Sequence, residues 1–156
     1  MEKSYRQFCP VAMASEILCA RWTPLLVREL LAGSTRFNEL RRGLPRMSPA
    51  LLSRRLGELE AAGIVRRAPS ATDPDVNAYH LTEAGEALRP VIEAIGEWGR
   101  AHVEAEASLR NLDPSLLMWD MRRNVDAGAL PARRVVVRFR YRDLKPGDRD
   151  WWLLAD

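Results

Sequence analysis

Cysteine is scarce in this chain: Cys9 and Cys19 are its only two among 156 residues. Two thiols are too few for a disulfide scaffold, and a chain of this length has no need of one. They form no CxxC pair, and the two histidines, His80 and His102, lie far off in sequence, so no metal site is expected. Long apolar runs are missing too. None approaches the ~18–20 residues of a membrane span, and no membrane partner is expected. The polar start, Met1 to Arg6, leads into no apolar signal segment, which makes the cytoplasm the default location. Paired carboxylates, a nucleophile beside a histidine and a phosphate loop are also lacking. An enzyme is therefore not expected, and nothing calls for a cofactor.

What is present fits an ordinary globular protein, with 47% apolar and 29% charged residues. The length suits one domain with a real core and an appendage. Net charge is only +3, but its distribution is uneven. Residues 36–67 hold eight arginines against three glutamates, and residues 82–112 hold six glutamates against three arginines. A basic block followed by an acidic helix suggests one surface for a polyanion and another for something else. Charge alone leaves a merely solvated face equally open.

Periodicity orders the chain into short helices followed by a hairpin. Pro10 opens a helix carrying Val11, Ala14, Ile17 and Leu18. Thr23 as cap and Pro24 at the first position open a second helix, ending at Gly33. Phe37, Leu40 and Leu44 share one face of a third, stopped by Gly43 and Pro45. Ser48 as cap and Pro49 open a fourth, in which Leu52, Leu56 and Leu59 point inward. Its other side, Pro49, Ala50, Ser53, Arg54 and Gly57, is small and then basic, a shape able to enter a groove. Strands 63–67 and 77–81 flank a polar turn at 70–75, and a hairpin so placed reads as a wing. Thr82 caps a final helix with a stripe of Leu88, Val91, Ile92, Ile95, Trp98 and His102, in which Pro90 predicts a kink or a restart.

Several of these segments resemble the HxlR family of bacterial regulators. They are Cys9-Pro10-Val11, Arg21-Trp22-Thr23, Arg36-Phe37-Asn38-Glu39-Leu40, Ser48-Pro49-Ala50-Leu51-Leu52-Ser53 with Leu56, Leu59 and Glu60, Gly63-Ile64-Val65, and Tyr79 to Gly85. Order and spacing agree over roughly residues 8–103. The resemblance implies a dimeric winged helix-turn-helix, mainly α with a small β-wing (α+β), related more distantly to the MarR regulators. It places helix 48–62 in the major groove of double-stranded DNA, hairpin 64–81 as wing, and the terminal helices in a homodimer. Half-sites would be about one helical turn of DNA apart. Repression is expected ahead of activation.

Residue chemistry assigns roles within that frame. Arg54 is the best base reader, since a guanidinium holds guanine bidentately. Ser48, Pro49, Ala50 and Ser53 are small enough for a close approach of the helix N-terminus. Arg36, Arg41, Arg42, Arg46 and Arg55 are expected on phosphates. Arg66 and Arg67 lie on the wing, where alternation forbids both from facing DNA. For any one arginine, a solvated or ion-paired side chain is as good a reading. Dimerisation is expected through Val11, Leu88, Val91, Ile92, Ile95 and Trp98.

The resemblance also implies a sensor, because several family members sense oxidants or electrophiles with a cysteine at the position of Cys9. A thiol near a helix N-terminus, with Lys3 and Arg6 close in sequence, suits that role. A small buried side chain at the dimer interface is the other reading. An oxidant or small-molecule effector thus stays open.

The domain is expected to span 8–107. Residues 113–156 form a separate segment, a helix from Asp113-Pro114 and a hairpin with Val135, Val137, Phe139 and Tyr141 on one face. Arg138, Arg140 and Arg142 take the other face, and Trp151 to Leu154 the second strand. This segment resembles the start of a sterol-carrier-protein type-2 domain and stops before the rest of one. Truncation, packing on the body and completion by a partner chain are all open. A second reading of the whole makes it a protein- or ligand-interaction module whose C-terminal segment carries the activity.

Overall fold

The computed structural model describes residues 4–70, 73–103 and 113–155. The Ala71–Thr72 wing tip, Lys3 and the 104–107 end of the expected domain lie outside them. Two compact units are present, residues 1–112 and 113–156.

In the first unit, α1 (Pro10–Leu18) starts at Pro10 and has Cys9 as its N-cap, whose carbonyl accepts from Met13 N at 3.0 Å. Helix α2 (Thr23–Leu31) begins one residue earlier than the expected Thr23 cap. Trp22 takes the cap position in the left-handed region, φ 80°, and packs against the core while the Arg21 guanidinium lies over its ring. That conformation disfavours a bulky residue, and burial of the indole offsets the cost. Helix α3 (Phe37–Gly43) is held at its start by Glu39, whose Oε2 accepts from Thr35 N and Arg36 N, both at 3.0 Å.

Helix α4 (Pro49–Ala61) begins as expected, with Ser48 Oγ accepting from Leu51 N at 3.3 Å. It ends where Gly63, φ 72°, turns the chain so that Ile64 N reaches back to Leu59 O at 2.9 Å. Leu52, Leu56 and Leu59 are buried with Leu26, Val27, Leu30, Leu40, Leu44, Met47, Ile64 and Val65. Each such leucine contributes ~1.5–3 kcal/mol by leaving water.

Strands β1 (Val65–Ser70) and β2 (Asp73–Leu81) form an antiparallel hairpin in register Val65↔Leu81 to Pro69↔Asn77. Each runs further toward the tip than expected. A third short segment joins them, which periodicity did not show: Arg36 bridges Ala78, and Thr35 O accepts from Tyr79 N at 2.8 Å. Thr82 Oγ accepts from Gly85 N and donates to Gly63 O at 2.6 Å, opening α5 (Glu83–Glu86). Helix α6 (Arg89–His102) restarts there, with Pro90 in its first turn.

The second unit has α7 (Pro114–Asn124), capped by Asp113 Oδ1 accepting from Ser115 N at 2.9 Å, and a short turn at Ala127–Ala129. Strands β3 (Val135–Arg140) and β4 (Asp150–Ala155) pair antiparallel, Val135↔Ala155 to Arg140↔Asp150. Alternation puts Val135, Val137 and Phe139 on one face, and Arg138 and Arg140 both reach Asp150. Tyr141 and Arg142 fall beyond the strand.

Candidate nucleic-acid interface

The turn from α3 to α4 is anchored by buried Leu44 and Met47, so the start of α4 has little freedom. Its inward face is taken by leucine. Ser48, Pro49, Ala50, Ser53, Arg54 and Gly57 are left exposed along its length. Arg41 and Arg46 are exposed and, among the described residues, make no hydrogen bond or ion pair; Arg42 is exposed too. Exposed guanidinium donors thus flank the turn that leads into the N-terminal end of α4, where the helix dipole also favours an anion.

Two of the expected phosphate contacts are engaged inside the fold. Arg36 is half-buried, with Nη2 donating to Ser70 Oγ on β1 at 3.2 Å. Arg55, with only 15% of its side chain exposed, donates from Nε to Arg21 O at 3.3 Å and pairs with Glu58. Arg54 is 69% exposed and donates from Nε to the other Glu58 oxygen at 2.8 Å. On the wing, Arg67 shares a face with buried Val65, opposite Tyr79, and Arg66 lies on the reverse face opposite His80. Both arginines are exposed. Sequence reasoning passed over Glu58, although Arg54 and Glu58 stand at the i, i+4 spacing of a helical ion pair.

The profile of the HxlR-like helix-turn-helix family matches residues 17–107, more than half of the chain. The chain belongs to the HxlR family. It is 39% identical over 99 residues to an uncharacterized HTH-type transcriptional regulator, YvaP, of Bacillus subtilis (strain 168), covering 63% of this chain and 92% of that one. Among solved structures it is similar to the redox regulator HypR in its reduced form. There the TM-score is 0.57 at 34% identity, over 64% of this chain and 99% of that one. Reduced YodB from B. subtilis gives a TM-score of 0.53 at 33% identity, over 64% and 98%. Members of this family are DNA-binding transcriptional regulators, not enzymes. The HxlR match ends before the second unit begins.

The residues expected to dimerise divide in this HxlR protein. Leu88 and Ile92 pack on the chain's own core. Val11, Val91, Ile95 and Trp98 are exposed, and Trp98 stands 5.6 Å from the His102 ring. Val11, Val91 and Ile95 line an apolar groove of about 660 Å³ with Leu18, Cys19 and Trp22. Cys9 is half-buried and Cys19 exposed, both as free thiols. Among the described residues no metal-binding group of three side chains occurs, and no helix is long and apolar enough to cross a membrane.

Proposed function

We propose that this HxlR regulator is a repressor that binds a palindromic operator as a homodimer, with α4 in the major groove and the β1–β2 hairpin as wing. The observation that carries this reading is the outer face of α4. It is small at Ser48, Pro49, Ala50 and Ser53, basic at Arg54, exposed to solvent at all five, and fixed from behind by three buried leucines. Small residues allow the backbone to come close, and Arg54 supplies the donor pair that reads guanine. Arg41, Arg42 and Arg46 add affinity and register. The exposed Val11, Val91, Ile95 and Trp98 supply the apolar surface that a second copy would bury.

A genomic footprint of the bound protein yields the operator, and binding to single-base variants of it tests the reading. Arg54→Ala is expected to cost ~1–3 kcal/mol at one base position and to leave other positions as they were. An equal loss on all sequences refutes base reading by Arg54. An asymmetric footprint shorter than one helical turn of DNA refutes the paired half-sites.

Effector response is proposed to run through Cys9. Its half-buried place at the cap of α1, beside the start of the apolar helix surface, supports this, as does the likeness to a structure named as a redox regulator. Fluorescence anisotropy with labelled operator checks it: diamide should release the parent protein and leave Cys9→Ser bound. Equal release from both excludes Cys9 as the sensor.

A further inference from the structure

We infer that Glu58 is a positioning residue for operator discrimination: its carboxylate holds Arg54 by Nε and so presents the outer edge of that guanidinium to a base. The inference rests on the reading of α4 as the recognition helix. Three observations carry it. First, Arg54 Nε donates to Glu58 Oε1 at 2.8 Å, and among the described residues the terminal nitrogens of Arg54 make no other hydrogen bond. Those two nitrogens are the pair that grips guanine O6 and N7 side by side. The contact to Glu58 therefore engages Nε and leaves both terminal nitrogens for the base.

Second, Glu58 is itself anchored. Its Oε2 is taken by Arg55, which also donates to Arg21 O in the turn between α1 and α2. A relay thus runs from that turn through Arg55 and Glu58 to Arg54, tying a long side chain on the exposed face to the body of the domain. Third, burial disfavours the charged form of Glu58, but hydrogen bonds and charge from Arg55 and Arg54 outweigh it and hold its carboxyl below the usual glutamate value. Glu58 is ionised at neutral pH, as a firm acceptor must be.

The Arg54–Glu58 pair itself adds little stability, because an i, i+4 helical ion pair with its arginine open to water contributes weakly. Its effect belongs to binding. An unrestrained arginine must be immobilised when it meets a base, and one already held loses less freedom. Glu58 also places a negative charge beside the DNA, which weakens binding to every sequence alike. Affinity is given up uniformly, and discrimination is gained at one position.

The test compares binding of the full chain to operator, single-base variants and unrelated DNA across a salt series. Glu58→Ala is expected to bind unrelated DNA more tightly, and to lose roughly tenfold of its preference at the base read by Arg54. Glu58→Gln removes the charge but keeps an oxygen for Nε, so unrelated DNA should bind more tightly with the preference largely kept. In an Arg54→Ala background, Glu58→Ala should cause no further loss of preference. If Arg54→Ala lowers the preference and Glu58→Ala does not, the positioning role is overturned and the recognition helix stands. If Arg54→Ala leaves all preferences unchanged, the reading of Arg54 itself falls, and this inference with it. A loss from Glu58→Ala that persists without Arg54 also overturns it. Far-ultraviolet circular dichroism of each variant separates these outcomes from misfolding.

Discussion

Glu29 is a carboxylate in the middle of the core, with none of its side chain exposed. Arg28 Nη2 meets its Oε1 at 2.8 Å, and the rest of the side chain lies against Gly43 at the end of α3. A Cβ at residue 43 would fall on the Glu29 carboxylate. Glycine is needed there for the close approach of α2 to α3, not for an unusual backbone angle. Gly43→Ala would gain a little helix propensity, but the displaced buried carboxylate dominates. Chemical denaturation is expected to show a loss of ~1–3 kcal/mol, the scale of an overpacked core. In Glu29→Ala, which vacates that space, the same substitution should cost much less. Equal cost in both backgrounds would show that the two residues do not meet.

At the scale of elements, the wing is held by more than its own ladder. Arg36 contributes a backbone bridge to Ala78 and a side-chain bond to Ser70, so it fastens the hairpin to the start of α3. Arg41 and Arg46 point instead to solvent. These placements separate in salt dependence, since each phosphate contact contributes ~0.9 to the slope of log K against log salt. Arg41→Met and Arg46→Met are each expected to reduce the slope by about that amount. Arg36→Met should leave the slope nearly unchanged and speed amide exchange in β1 and β2. A reduced slope for Arg36→Met with unchanged exchange would make Arg36 a phosphate contact after all.

For the whole molecule, the feature that matters most is the exposed apolar surface of α1 and α6. Leu88 and Ile92 serve the core of one chain, whereas Ile95 and Trp98 have half or more of their surface in water. Exposed aromatics in such a patch mark an interaction surface. The pair Ile95→Glu and Trp98→Glu is expected to give a monomer by light scattering, with thermal unfolding of the monomer little changed, because neither side chain is buried within the chain. Operator affinity should fall steeply as one of two half-sites is lost. A dimer that persists in the double variant would put the interface elsewhere.

Much of this was legible in the order of residues. Leucines at 52, 56 and 59 specify which side of α4 faces the core, and therefore which side is outside. The caps at Ser48, Thr82 and Asp113 and the breaks at Gly63 and Pro90 mark element ends through local backbone chemistry, which needs no distant partner. Family membership was legible in the same way, as motifs in a fixed order. The sequence could not assign the arginines, because a guanidinium is equally at home on phosphate, carboxylate or carbonyl. Arg36 at Ser70 and Arg55 at the Arg21 carbonyl each join residues 34 positions apart, and only the fold brings them together. The tertiary structure likewise split one apolar stripe between core and surface, since a helix pattern shows which side is apolar but not where its own core ends.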